Sequence, residues 1–185
     1  MFTGLDIEQL GKQYLSFAEE LFGTMSSDWE YGGIEINDNP PHLRYYPDIG
    51  KIVISLSEKV RNDDVQLCFQ LSHEICHILY PVMNTDDIEI DKRTVLNEGI
   101  STFFSILVIK NLCDIQFIID NLREYNTNYY GAYVLVNELM SLDFQAIKKL
   151  RIVEPMINLI KLNHFDDAGV ILPIELKIQL LQKFN

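Results

Sequence analysis

Hydrophobic residues in the first part of the chain recur with the spacing of a helix. Between residues 5 and 22, large apolar or aromatic side chains follow one another at intervals of three and four: Leu10, Tyr14, Phe17, Leu21 and Phe22. This spacing predicts an amphipathic helix that packs one face on the core. The helix should end at Gly23, because glycine favours the backbone conformation that terminates helices.

Alternation of apolar and polar residues replaces that spacing over residues 29–57. Ile34 and Ile36 alternate with polar neighbours, and residues 42–46 can extend in the same way. Residues 51–57, Lys-Ile-Val-Ile-Ser-Leu-Ser, form the clearest strand pattern in the chain. Turn-forming residues separate the three segments. We therefore expect a small antiparallel sheet of about three strands.

The pattern after this sheet predicts helices. One helix should begin near Asp63, because Gln66 three residues later resembles a capping box. It should end at Tyr80, because Pro81 follows. A second helix, over residues 92–111, is strongly apolar in its latter half, as in a helix at the centre of a domain.

Further helical stretches complete the predicted chain. They lie at about 114–124, 129–141, 143–151, 154–163 and 173–184. A short sheet followed by helices is typical of the α+β class. No linker or repeat divides the chain, so we expect residues 1–185 to form a single domain.

Composition restricts the classes of function. The chain has 185 residues, of which 48% are hydrophobic and 23% charged, as in globular proteins. Its net charge of −12 argues against nucleic acid or an anionic membrane surface as a partner. No apolar run is long enough for a membrane span. The odd number of cysteines and the absence of a signal-peptide pattern predict a cytoplasmic protein.

The helix that begins near Asp63 carries the motif His73-Glu74-Ile75-Cys76-His77, which reads H-E-x-x-H. Histidines four residues apart lie on one face of a helix, where both can bind one zinc ion. Glu74 lies on the adjacent flank, where it can reach a metal-bound water. Cys76 is interpreted as a buried apolar residue, because a thiolate ligand would change the open geometry of such a site. An ordinary helix with two histidines is the alternative, so the interpretation requires a third ligand.

Acidic residues after His77 are the candidates for that ligand. Glu98 lies in an apolar helix, where an unpaired carboxylate is costly to bury and metal ligation would explain it. The other candidates lie in a polar segment, where solvation explains their presence: Asp86, Asp87, Glu89 and Asp91. The longer metzincin motif, H-E-x-x-H-x-x-G-x-x-H, is excluded, because Tyr80 and Met83 occupy the positions of its glycine and its third histidine.

HEICH followed downstream by Asn97-Glu98-Gly99 resembles the gluzincins, the thermolysin-like zinc metallopeptidases. In size the chain is similar to their small single-domain members, the minigluzincins. The resemblance implies that His73, His77 and Glu98 bind Zn²⁺. It also implies that Glu74 is the general base. The implied fold is zincin-like: a sheet whose edge strand lines the cleft, then the active-site helix, the ligand helix and a mostly helical C-terminal half.

One departure from the gluzincin pattern concerns the support of a ligand histidine. The family places an aspartate four residues after the ligand glutamate, where it supports a ligand imidazole. Thr102 occupies this position, with Ser101 beside it. A hydroxyl accepts the imidazole N–H more weakly than a carboxylate does, so the resemblance implies looser support here.

A second departure concerns the oxyanion. Related families carry a tyrosine three residues before a glycine in a later helix, but Asn128 occupies that position here. Tyr129 or Tyr130 could substitute, and aromatic packing of a helix start is the alternative. His164 is a further candidate donor, or else a surface histidine beside acidic residues.

These observations predict a zinc-dependent peptidase that cleaves peptide or protein substrates. A metal-bound water would attack the peptide carbonyl with Glu74 as general base. Residues 51–57, as an edge strand, would hold the substrate backbone. The alternative is a metal-binding regulatory or partner-recognition protein with little or no general protease activity. A zymogen-like state with a terminal helix over the cleft, and a domain without metal, are the remaining hypotheses.

Overall fold

The computed structural model describes residues 6–81 and 93–185 and shows an α+β protein. In chain order, its regular elements are helix α1 (Ile7–Phe22), strands β1 (Glu30–Asn37), β2 (His42–Tyr46) and β3 (Lys51–Ser57), and helices α2 (Asp64–Leu79), α3 (Val95–Ile109), α4 (Ile115–Tyr125), α5 (Thr127–Leu142), α6 (Ala146–Val153), α7 (Leu162–Asp167) and α8 (Ile174–Leu180). A cluster of buried apolar side chains extends from α1 to α8. Among the described helices, none combines the length and the hydrophobicity of a membrane-spanning segment.

The three-stranded sheet of the described residues is mixed and not antiparallel throughout. Its strand order is β1-β3-β2. β2 pairs antiparallel with β3, but β1 pairs parallel with β3 on the opposite side. The prediction of an antiparallel sheet is wrong in this respect, because alternation identifies a strand without identifying its partners. The hypothesis that residues 51–57 form an edge strand is also wrong, since β3 is the central strand.

The first helix and the sheet are joined through Glu8. The Asp6 side chain caps α1, and Gly23 ends the helix where the sequence predicts. Glu8 Oε1 accepts the backbone N–H of Ile34 at 2.8 Å, at the irregularity in β1. Gly33 beside it has a φ of 104°, a conformation that favours glycine. The contact fixes α1 against the edge of the sheet.

Helix α2 begins and ends close to its predicted limits. The Asp63 side chain accepts the backbone N–H of Gln66 at 2.9 Å, and the helix ends at Leu79, just before Pro81. Arg151 of α6 donates to the carbonyl oxygen of Leu79 at 2.9 Å and also to carbonyl oxygens at the end of α1. Carbonyl groups at a helix C-terminus lack partners within the helix, so a cation stabilises them. One side chain therefore ties the ends of α1 and α2 together.

Helix α3 lies between α2 and α5. It begins at Val95, and the side chain of its N-cap, Thr94, accepts the backbone N–H of Asn97 at 3.2 Å. The start is later than the predicted residue 92, which lies outside the described residues. Most of the helix is buried, as its apolar pattern predicts.

Gly99 permits the close contact between α3 and α5. A Cβ at this position would lie 2.5 Å from the carbonyl oxygen of Ala132 and 2.5 Å from Cγ2 of Val136. Both distances are far below van der Waals contact, so any side chain would push α5 away. The glycine therefore sets the separation of two helices immediately beside Glu98.

The C-terminal helices agree with the sequence in part. Helices α4, α5 and α6 lie within a few residues of their predicted limits. The helix predicted over residues 154–163 is wrong: Glu154, restricted by the following proline, is extended, and a short 3₁₀ turn at Ile157–Leu159 precedes α7. Helix α8 ends at Leu180 and not at residue 184.

The chain after α8 returns to the start of α3. We call residues 182–185 the C-terminal tail. The backbone N–H of Val95 donates to the carbonyl oxygen of Gln182 at 2.9 Å, and the N–H of Phe184 donates to that of Arg93 at 3.0 Å. The tail therefore fixes the backbone at the point where α3 begins.

We expect Gly99→Ala to reduce the free energy of unfolding by about 2 kcal/mol, since overpacking a core typically costs about 1–3 kcal/mol. Urea-induced unfolding, followed by circular dichroism, measures this change. Gly131→Ala on α5 is the matched control, because nothing lies within 4 Å of a Cβ there and alanine favours a helix. A loss of stability no greater at Gly99 than at Gly131 would contradict the packing argument.

Candidate metal centre

Helices α2 and α3 bring three predicted metal ligands together. His73 and His77 lie one turn apart on α2, and Glu98 faces them from the first turn of α3. The Nε2 atoms of the histidines are 3.2 Å apart. Glu98 Oε2 lies 3.3 Å from Nε2 of His73 and 3.5 Å from Nε2 of His77. These three side chains could hold a metal ion. The weaker acidic candidates lie outside the described residues: Asp86, Asp87, Glu89 and Asp91.

The separations of these three atoms fit the dimensions of a metal site. Nitrogen and oxygen ligands at about 2.0–2.1 Å in tetrahedral geometry are separated from one another by about 3.3 Å. The observed values are 3.2, 3.3 and 3.5 Å. Within the described residues, the buried Oε2 of Glu98 accepts no hydrogen bond. A cation between the three atoms would satisfy it.

The outward nitrogens of the two imidazoles have different surroundings. His77 Nδ1 lies 3.4 Å from Ser101 Oγ, which in turn lies 3.4 Å from the carbonyl oxygen of Asn97. If Nε2 of His77 offers its lone pair to a metal, Nδ1 carries the proton and donates to Ser101. Thr102 does not take this role, because its hydroxyl donates to the carbonyl oxygen of Glu98 in its own helix. In the described residues, the buried Nδ1 of His73 has no hydrogen-bond partner.

Glu98 is a buried carboxylate among positive or polarisable groups. Its side chain is 1% exposed, and its Oε1 lies 3.2 Å from Arg93 Nη1. Burial alone would raise the pKa of Glu98, but interactions with His77 and His73 outweigh it and hold that pKa well below its usual value. Glu98 is therefore an anion near neutral pH. No sequence pattern distinguishes Arg93 as a residue of the site.

Glu74 lies beside this cluster and is itself buried, with 6% of its surface exposed. Burial is the main cause that raises its pKa to about 7, and the charge of Glu98 adds to this effect. His73 lowers the pKa by more than Glu98 raises it, and His42 and Arg93 lower it by smaller amounts. Glu74 is not one of the three converging ligands, and it lines the space next to them, as the H-E-x-x-H pattern predicts.

Two adjoining cavities open at the cluster. The smaller, of about 200 Å³, contains all three ligands together with Glu74, Arg93 and residues of β2. The larger, of about 390 Å³, extends along the first turns of α2 and has a mainly apolar wall. Their shared lining residues are Pro41, His73, Glu74 and Tyr129. The described residues of helix α1 line neither cavity.

The structure separates the two tyrosine candidates. The Tyr129 ring packs edge-on against His73, with centroids 5.8 Å apart, and against Phe184 of the C-terminal tail at 4.9 Å. It lines both cavities, and burial is the main cause that raises the pKa of its hydroxyl. Tyr130, although adjacent in sequence, is not among the residues that line these two cavities.

His42 is a second residue of the site without an assigned role from sequence. It lies on β2 and lines the smaller cavity. Its Nδ1 is 2.7 Å from the carbonyl oxygen of Pro40. A carbonyl oxygen only accepts hydrogen bonds, so Nδ1 carries a proton and a neutral ring has its lone pair on Nε2. No sequence pattern distinguished this histidine, since its position depends on the strand order.

The remaining candidates lie outside the cluster. Cys76 is fully buried, and burial raises the pKa of its thiol, in agreement with its interpretation as a core residue. Cys68, Cys76 and Cys113 are free. His164 accepts the backbone N–H of Lys161 through Nδ1 at the start of α7. It therefore has a capping role there.

Together, the fold and the site define an α+β protein with a candidate metal centre between two central helices. Comparisons with protein-family models, with curated proteins and with solved structures find no match to this chain. The function of this chain is therefore inferred from the geometry of its site.

We expect Ser101→Ala to weaken zinc binding by about tenfold, the lower end of the range for losing a ligand-supporting partner. The alanine would leave the Nδ1–H of His77 without an acceptor. Competition with a chromogenic chelator measures the dissociation constant. Ser105→Ala is the matched control on the same helix, because Ser105 donates to backbone carbonyls of Phe69 and Ser101 and does not contact His77. Equal affinities of the two variants would exclude the proposed support.

Proposed function

We propose that this protein is a zinc-dependent peptidase of the gluzincin type, with a zincin-like arrangement of its two central helices. One observation carries the proposal: Nε2 of His73, Nε2 of His77 and Oε2 of Glu98 lie at separations of 3.2–3.5 Å. Imidazole nitrogen and carboxylate oxygen form the ligand set of thermolysin-like zinc sites. The third ligand comes from a different helix, so its approach is not a consequence of the local H-E-x-x-H pattern.

His73, His77 and Glu98 would hold the zinc ion. When bound, zinc supplies Lewis acidity, which activates a water molecule and polarises the substrate carbonyl. Glu74 lines the same space without joining the ligand cluster. Its carboxylate would take a proton from the attacking water and deliver it to the nitrogen of the leaving amine.

The edge of the sheet next to the cluster supports a peptide as the substrate. Within the described part of the chain β2 is an edge strand, and His42, Leu43 and Tyr45 of this strand line the smaller cavity. An extended peptide can add to such an edge by main-chain hydrogen bonds. This would lay a peptide across Glu74 and the cluster. In this proposal β2, and not the strand of residues 51–57, holds the backbone of the substrate.

Tyr129 is the proposed stabiliser of the oxyanion. It lines both cavities and contacts His73, so its hydroxyl belongs to the same compartment as Glu74. A phenol held in place by packing can donate to the charge that develops on the carbonyl oxygen. Phe184 and His73 enclose its ring on two sides. The proposal gives no role to Tyr130.

A second function is a metal-binding regulatory or partner-recognition protein with little general proteolysis. The support of the histidines favours it, because His77 Nδ1 meets only a hydroxyl at 3.4 Å and His73 Nδ1 has no partner within the described residues. Ligand histidines usually donate to a carboxylate or a carbonyl group, which raises their basicity. A stable complex with one protein, without cleavage of a peptide library, would support this function. The free cysteines suit either function in a reducing cytoplasm.

Glu74→Gln should reduce hydrolysis of a quenched fluorescent peptide library by about 10²–10⁴-fold, the usual contribution of a general base. It should retain zinc, because Glu74 is not a ligand. Activity assays and elemental analysis of the same preparation test both parts. Glu138→Gln, an equivalent change on the exposed side of α5, should leave both values unchanged. Turnover by Glu74→Gln at the wild-type rate would refute the proposed role.

Zinc should also stabilise the folded protein, because its ligands come together only when α2 and α3 pack. At a free concentration of about 1,000 times Kd, the gain in the free energy of unfolding is about 4 kcal/mol. Thermal unfolding with zinc, and after its removal by a chelator, measures the difference. Glu98→Gln should abolish most of the zinc-dependent rise in Tm, and magnesium, which prefers oxygen ligands, should not replace zinc. A wild-type Tm that does not respond to zinc would exclude a zinc site here.

A further inference from the structure

The two oxygens of the Glu98 carboxylate have different partners. Oε2 faces the Nε2 atoms of His73 and His77 at 3.3 and 3.5 Å, whereas Oε1 lies 3.2 Å from Nη1 of Arg93. The side chain of Glu98 is 1% exposed, so solvent does not compete for either oxygen. Oε1 and Oε2 of Glu98 therefore differ in the protein groups that they contact and not in their exposure to solvent.

Arg93 itself is held in place by the backbone around it. Its carbonyl oxygen accepts the N–H of Phe184, and the next residues, Thr94 and Val95, pair with the C-terminal tail. The Thr94 side chain then caps α3. A residue whose carbonyl group and following neighbours are held in this way has fewer backbone alternatives. Its guanidinium, 40% exposed, lines the smaller cavity beside the ligands.

We propose that Arg93 is a positioning residue that keeps Glu98 a one-oxygen ligand. The inference rests on the proposed metal site. A carboxylate can bind a metal through one oxygen or through both, and the second oxygen occupies a further coordination position. A charge-assisted hydrogen bond from Arg93 engages Oε1 and leaves Oε2 for the metal. The coordination position needed for water and substrate therefore stays open.

The geometry also explains why an arginine suits this position. The guanidinium is planar, always charged and directional, so it fixes the rotation of the carboxylate as well as its charge. A lysine would retain the charge and one hydrogen bond but would fix the orientation less. Removing the charge would release Oε1 at a buried position where the described residues offer it no other donor, and the metal would be its available partner.

Visible absorption of the cobalt-substituted protein tests the proposal, because the intensity of cobalt bands falls as the coordination number rises. Co²⁺ is added to the full-length apoprotein, and the probe is the metal alone without substrate. We expect Arg93→Gln to lose intensity relative to wild type and Arg93→Lys to recover most of it. Arg123→Ala on α4, which removes a surface ion pair with Asp120, is the matched control and should give the wild-type spectrum.

Several outcomes would overturn the proposal. One is an Arg93→Gln spectrum identical to wild type while circular dichroism shows a folded protein. Another is a loss of intensity that Arg93→Lys fails to recover. If Arg93→Gln does not fold, X-ray absorption of the wild-type cobalt protein decides: one carboxylate oxygen bound to the metal is expected, and two oxygens of one carboxylate bound to it would overturn the proposal. A wild-type protein that binds no cobalt or zinc overturns this inference and the metal site together, whereas an inactive protein with these spectra overturns only the peptidase function.

Discussion

A carboxylate buried inside an apolar helix is the constraint on which the rest of the structure depends. Glu98 is almost without solvent, and an ionised carboxyl group there is unfavourable unless charge or hydrogen bonds replace the lost water. The chain provides two imidazoles on one side and a guanidinium on the other. Removing any of these partners would leave a charge uncompensated in the core. The position of Glu98 therefore restricts how α2, the start of α3 and Arg93 can be arranged.

Elements from distant parts of the chain hold α2, α3 and Arg93 in the arrangement that Glu98 requires. Gly99 lets α5 approach α3 beside the carboxylate, and α5 then supplies Tyr129. Arg151 ties the end of α2 to the end of α1, and the C-terminal tail fixes the backbone of Arg93. None of these contacts is local in sequence. The site therefore exists only in the folded chain, which couples any metal binding to folding.

The parts of the site that follow local rules could be predicted from the sequence. The i, i+4 spacing places His73 and His77 on one face of a helix wherever that helix lies, and the limits of α2 follow from Asp63 and Pro81. Glu98 was identifiable because a buried carboxylate needs a partner. The strand order, Arg93 and the choice of Tyr129 over Tyr130 could not be derived, because each depends on contacts between separate elements. An arginine beside an acidic segment looks like an ordinary surface residue until the fold places it against Glu98.

The contacts of the three ligand side chains all weaken the donation of charge to a bound metal. Ser101 supports His77 only weakly and His73 Nδ1 lacks an acceptor within the described residues, so neither imidazole gains the basicity that a carboxylate would add. Arg93 draws negative charge of Glu98 toward Oε1 and away from the metal side. In the proposed metal site, weaker donation from all three ligands would leave the ion more electrophilic and also less tightly held. The same contacts would therefore lower the affinity for the metal and raise its Lewis acidity.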